Sequence, residues 1–204
     1  RVLCLLEIPQ GLDDESWLMK ILHLDTGPSM RGGQHQVLML LRGLDTRGYK
    51  QTLLAGEPLV EHWDGRSLTI AHLLRAAPQA EIIHAHDARA HTLAALFCPG
   101  KPLVVSRRVG FPLRRGWLSR WKYGRGKHYI TVSGYVRERL IDAGIAATDV
   151  SVVYDGVQMP SAEDREPRPT RVGGSAVAVA PAIDDPLKGT ELLRSACQLA
   201  GVRM

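Results

Sequence analysis

From Lys20 onward the chain alternates two kinds of hydrophobic pattern. Short apolar runs of strand length, KILHLD (20–25), QTLLA (51–55), EIIHAH (81–86), PLVVS (102–106), HYITVS (128–133) and VSVVY (150–154), are separated by longer segments. In those segments, such as GQHQVLMLLRGLDTRG (33–48), ARAHTLAALF (88–97) and GYVRERLIDAG (134–144), apolar residues recur at helical spacing. Near-continuous Val, Ile and Leu runs interleaved with helices predict a parallel sheet covered on both faces. The expected fold class is α/β, a doubly wound Rossmann-like sheet, in which ligands bind at the carboxyl ends of the strands.

The pattern also divides the chain. Residues 1–18, RVLCLLEIPQGLDDESWL, show neither alternation nor a helical stripe and are expected to be an N-terminal extension, whereas MKILHLD (19–25) reads as the start of a domain running to residue 159. Three prolines, a terminal glycine pair and mixed charges mark 160–174 as an interdomain linker. Beyond it, 175–204 holds one strand pattern, SAVAVAP, and one helix pattern, KGTELLRSACQLAG. A single βα unit cannot bury a core, so it is expected to open a second, incomplete domain. Between QTLLAG and EIIHAH, residues 57–80 have room for about one helix.

Composition narrows the class. A chain of 204 residues with 45% apolar content can bury a real core, and three scattered cysteines do not form a disulfide framework, which favours a reducing compartment. No stretch reaches the roughly 18 apolar residues of a spanning helix. The expected location is the cytoplasm, with peripheral contact at the inner face of a membrane. The net charge of +5 is unevenly placed: residues 107–128 hold eight Lys or Arg and no Asp or Glu. Such a field attracts phosphates on nucleic acid, lipid headgroups or a small molecule. Trp117, Trp121 and Tyr123 interleave with the cations, a pattern suited to single-stranded nucleic acid or to a membrane surface.

Two clusters carry candidate chemistry. In EIIHAHDARAH (81–91), His84 and His86 lie two apart and face the same way in a strand, with Asp87 beginning the loop. Paired imidazoles could bind zinc, but no third or fourth ligand appears at ligand spacing, so no metal is expected. The same residues fit a buried, hydrogen-bonded His84 with Asp87 capping the next helix, or a His86 that donates to a polar ligand at the strand end. In DTGPSMRGGQHQ (25–36), Gly27 and Gly32 have P-loop spacing, yet Gly33 and Gln34 stand where Lys and Ser or Thr are required. No G-x-G-x-x-G is present. What remains is the pair Gly32 and Gly33 at a helix start, where backbone N–H groups suit an anion or a sugar hydroxyl, or simply a tight turn.

RGGQHQV, IIHAHDARAHTLAAL, RRVGFPLRR with SRWKY, HYITVSGYVRERLIDAGI and VSVVYDGV together resemble the N-terminal half of the group-one, family-four retaining glycosyltransferases of GT-B fold. The likeness runs over most of residues 19–158. PAIDDPLKG resembles the start of that family's donor domain. The resemblance implies that His86 contacts the transferred sugar as the catalytic residue, that Gly32, Gly33 and Lys188 serve the donor, and that Arg107, Arg108 and Lys122 serve an anionic acceptor. It implies a nucleotide-diphosphate sugar as donor substrate, with no further cofactor. It also implies a phosphorylated or lipid-linked glycan acceptor, such as a lipopolysaccharide core, in bacterial cell-envelope polysaccharide synthesis, with no nucleic acid. The sequence departs from the family at Ala182, where many relatives have an arginine, and in 57–80, where an edge strand is expected to be lost. It also ends before the family's paired glutamates, so the isolated chain is expected to turn over weakly or not at all. Two other readings stay open: a non-enzymatic module binding anionic lipid or nucleic acid through 107–128, and a metal-dependent hydrolase using His84 and His86.

Overall fold

The structure is a computed structural model that describes residues 19–111, 113, 116–157, 159 and 189–201. The chain divides into two compact units, 1–157 and 158–204. In the first, among the described residues, seven parallel strands form one sheet in the order β3-β2-β1-β4-β5-β6-β7. They are β1 (Lys20–Asp25), β2 (Lys50–Ala55), β3 (Arg66–Ser67), β4 (Ile82–Ala85), β5 (Leu103–Arg107), β6 (His128–Thr131) and β7 (Val150–Val152). The helices between them are α1 (Gly32–Asp45), α2 (Glu57–Val60), α3 (Ile70–Ala76), α4 (Ala88–Phe97), α5 (Trp117–Gly124) and α6 (Gly134–Ile141). The expected doubly wound α/β class is what the chain adopts.

Strand alternation sorts the side chains onto two unlike faces. Leu22, Leu24, Ile83, Ala85, Leu103, Val105 and Tyr129 join one buried cluster with Leu73 of α3, Ala90 and Ala94 of α4, Tyr123 of α5 and Leu140 of α6. On the other face α1 and α2 cover β2, packing Val37, Leu38, Leu41 and Leu59 against Leu53 and Ala55. Each fully buried leucine contributes about 1.5–3 kcal/mol. The remaining inward positions on that second face, in β1, β4 and β5, are polar: His23, Asp25, His84 and Ser106. The strands are therefore less uniformly apolar than their composition suggests.

Two expectations are corrected. The edge strand expected to be lost is present as β3, two residues registered against Leu54 and Ala55. Residues 57–80 also hold two α-helices and a 3-10 turn at Ala77–Gln79 rather than about one helix. A short edge needs only two ladder pairs, too few to write an alternating pattern.

In the second unit the described element is α7 (Thr190–Leu199), which begins beside Gly189 in a left-handed conformation (φ 69°) and buries Cys197. The expected linker 160–174, the expected strand 175–181 and Lys188 lie outside the described residues. Among the described residues no helix is long and apolar enough to cross a membrane.

Candidate functional site

The carboxyl ends of β1 and β4 are tied by one carboxylate. Asp87 caps α4, accepting from the backbone N–H groups of Arg89 (2.7 Å) and Ala90 (3.0 Å). It also accepts from the backbone N–H and the hydroxyl of Thr26, at 2.5 and 2.8 Å. The capping role expected for Asp87 is thus present, and it extends to the turn that leads into α1. Asp25 holds the same turn from within, accepting from the Gly27 N–H at 2.8 Å and from Gln34 Nε2 at 3.1 Å. Burial raises its pKa above the ordinary carboxylate value, against these hydrogen bonds.

The glycines divide by function. A Cβ on Gly56 would lie 2.3 Å from the Gly27 carbonyl oxygen, so backbone closes that position to any side chain, and one on Gly27 would lie 2.2 Å from Gln34 Nε2, displacing that side chain from Asp25. Gly32 has nothing within 4 Å of such an atom, and Gly33 has only Arg108 Cδ at 3.9 Å. The pair singled out in the sequence therefore faces open space. The packed corner, Gly27 with Gly56, comes from two strand ends far apart in sequence.

Arg108 reaches across this opening. Its Nη1 donates to the His86 carbonyl oxygen at 3.4 Å, and its Nε lies 3.7 Å from Asp155 Oδ1. Arg107, one residue earlier, points to the other side of the sheet, where Nη1 donates to the Tyr123 hydroxyl and Nη2 to the Phe111 carbonyl, both at 2.6 Å. Lys122 Nζ donates to the Ala88 carbonyl at 2.7 Å and also lies over the Tyr123 ring. The structure thus brings Gly33, His86 and Arg108 together and sets Arg107 and Lys122 apart around Tyr123.

His86 sits at the rim by its main chain only. It follows β4, with its N–H donating to the Leu24 carbonyl, but its side chain turns inward and the residue is 4% exposed. There it meets His84, with ring centroids 4.0 Å apart, and a third imidazole, His23 of β1, whose Nδ1 lies 3.0 Å from His86 Nε2. His23 and His84 are register partners on adjacent strands. His84 Nε2 bonds Ser106 Oγ at 2.8 Å. Burial, reinforced by neighbouring imidazoles and Arg108, lowers His84 to about 3 and His86 well below its usual value. Burial lowers His23 to about 4. All three imidazoles are neutral at pH 7. Their ligating nitrogens lie within 4.8 Å of one another. The third ligand that local spacing did not supply comes from the neighbouring strand. Its sequence signal is a histidine interrupting each of two apolar runs, HLD and HAH, at matching depth.

A Rossmann-like domain with its polar residues gathered at the carboxyl ends of β1, β4 and β5 is the architecture these observations define. Residues 61–159 match the family described as Glycosyltransferase Family 4, and the fold is that of a GT-B N-terminal half. Among solved structures it is similar to the lipopolysaccharide outer core galactosyltransferase WaaB in its apo form, at 14% identity and TM-score 0.57, covering 78% of this chain and 51% of that one. It is similar to a glycosyltransferase from Rickettsia africae ESF-5, at 14% identity and TM-score 0.56, covering 91% of this chain and 50% of that one. Anabaena Alr3699/HepE in complex with UDP matches at 17% identity and TM-score 0.47, covering 68% of this chain and 44% of that one. The chain thus spans about half the length of these proteins. Among curated proteins, no sequence matches.

Proposed function

We propose that the parent protein is a retaining, sugar-nucleotide-dependent glycosyltransferase and that this chain supplies its acceptor-side domain, with weak or no turnover alone. The observation that carries the reading is the meeting of Gly33, the His86 main chain and the Arg108 guanidinium at the carboxyl ends of the strands, with open space before the glycine pair. The 14-residue helix α1 starts there without a side-chain cap from Arg31, so its first N–H groups suit donor phosphate oxygens. In this reading the acceptor hydroxyl attacks the anomeric carbon from the side the nucleotide diphosphate leaves. The protein contributes charge stabilisation and positioning. Arg108, with Arg107 and Lys122 further out, attracts a phosphorylated or lipid-linked glycan acceptor, and Lys188 grips the donor pyrophosphate. For His86 to touch the transferred sugar, its ring must leave His23. No cofactor beyond the nucleotide-sugar substrate is required, and nucleic acid is not a partner. The setting is the cytoplasmic side of a bacterial envelope.

A phosphorylated lipopolysaccharide-core fragment titrated into the chain tests the acceptor assignment. Arg108→Glu is expected to weaken binding about tenfold or more, and unchanged affinity overturns it. Brisk transfer from a labelled nucleotide sugar by the isolated chain overturns the statement about turnover.

One observation favours a second reading, a non-enzymatic module binding anionic lipid. On α5, Trp117 (76% exposed), Leu118 and Trp121 share an exposed ridge beside Arg120 and Arg125. Apolar residues at headgroup level with cations beside them suit peripheral membrane contact, which is also compatible with a lipid-linked acceptor. Cosedimentation with anionic vesicles that is indifferent to nucleotide sugar and to glycan acceptor supports this reading over the first.

A further inference from the structure

We propose that His23, His84 and His86 form a binding site for one borderline divalent cation, Zn2+ in the first instance, beneath the rim of the sheet. The case is independent of the transferase reading and rests on convergence and burial. Three imidazoles from adjacent parallel strands offer ligand atoms within 4.8 Å of one another. One pair, His23 Nδ1 and His86 Nε2, already stands 3.0 Å apart, close to the spacing of two nitrogens each about 2.0–2.1 Å from a common tetrahedral ion.

Burial makes the cluster more than a coincidence of histidines. The residues are 0%, 7% and 4% exposed, and among the described residues His23 Nε2 and His86 Nδ1 have no hydrogen-bond partner. Leaving a buried polar nitrogen unpaired costs about 1–3 kcal/mol. Both unpaired nitrogens lie across their rings from the facing pair, so an ion held by His23 Nδ1 and His86 Nε2 takes the two nitrogens that are now bonded to each other.

The outer shell fits as well. Ser106 Oγ on His84 Nε2 fixes the orientation of that ring. That is the arrangement that orients metal-bound imidazoles. An all-imidazole set suits Zn2+, Co2+, Ni2+ or Cu2+ and disfavours Mg2+ and Ca2+, which take oxygen. With three protein ligands, a fourth position is left for a small exogenous ligand.

The test is a competition titration of the chelator-treated 204-residue chain with Zn2+ against a chromophoric chelator, followed by X-ray absorption of the loaded protein. One ion per chain is expected, with three imidazole nitrogens at about 2.0–2.1 Å. Affinity should fall more than tenfold in each of His23→Gln, His84→Gln and His86→Gln, and about tenfold in Ser106→Ala, which removes only the outer-shell bond. His62→Gln, a histidine outside the cluster, should bind as the parent does. Absence of saturable binding by the folded chain overturns the proposal. So does a sulfur ligand in the absorption spectrum, or affinity unchanged in all the cluster variants. Should the histidine variants fail to fold, the absorption spectrum and Ser106→Ala decide.

Discussion

The two faces of the sheet are made by the same strands yet solve burial in opposite ways. On one, Leu22, Leu24, Ile83 and Val105 pack against α3, α4, α5 and α6, and these strand side chains carry no polar atom to satisfy. On the other, His23, Asp25, His84 and Ser106 are just as buried and every one needs a hydrogen-bond partner. A core position left to polar groups forgoes the transfer free energy of a leucine and adds a desolvation cost. Such a strip is kept for what it can bind or position. The difference teaches that the sheet's scaffold and its candidate chemistry are separated by one residue of alternation, so that a one-residue slip in register would exchange them.

The largest expected effect lies on the apolar face. Leu24→Ala should destabilise the chain by about 2–5 kcal/mol in urea denaturation, because the site between β1's neighbours and α4 is filled and collapses only partly. A loss below about 1 kcal/mol would show that this face is loosely packed and the contrast false. Asp87→Ala, at the rim where the two faces meet, should cost about 2 kcal/mol. It removes the α4 cap together with both bonds to Thr26. Hydrogen exchange should then speed at Thr26 and Gly27 as well as in the first turn of α4. Protection lost in α4 alone would mean that Asp87 caps without tying the strands.

These same residues show how much was legible in the sequence. The strands, the main helices and the Asp87 cap could be read because each is written in local spacing: period two, period 3.6, or an acidic residue just before a helix. The helix α5 carries no such stripe, since only Tyr123 among its residues is buried, and its aromatics read as surface. The strand β3 is two residues long, shorter than any period. At the site, Gly32 and Gly33 at the start of α1 and Arg108 directly after β5 follow from their positions along the chain. The inward turn of His86, the partnership of His23 and the Gly27–Gly56 corner depend on cross-strand register and on atoms brought together by the turn after β1. Register between β1 and β4 is set by packing over sixty residues of chain, and no local window contains it.

Within the polar strip, the comparison sharpens at Ser106. Ser106→Ala should destabilise by about 1 kcal/mol, the net value of a buried hydrogen bond whose loss leaves His84 Nε2 unpaired. A change within 0.3 kcal/mol, roughly the scatter of additive surface substitutions, would mean that the imidazole finds water or another partner.

The smallest effect near neutral pH concerns the one buried imidazole on the apolar side. His91 of α4 is 1% exposed, bonds the Lys122 carbonyl through Nε2 at 3.1 Å and packs edge-on against Tyr123. Burial first, and then the charge of Lys122, lowers its pKa to about 3. Because the folded value lies below the ordinary 6.5, the unfolded chain binds the proton more readily. The associated stability is fully present above pH 6.5 and is lost progressively as pH falls toward 3. At pH 6 the loss is below about 1 kcal/mol. The cluster histidines titrate in the parent and in a His91→Gln variant alike, so the difference between the two proteins isolates this group. His91→Gln should show a shallower fall in stability between pH 6.5 and pH 4, by up to one proton in slope, whatever its stability at pH 7. Equal slopes would mean that the His91 site opens and protonates before the chain unfolds. The apolar face would then be the less rigid of the two around α4, reversing the contrast with the polar strip.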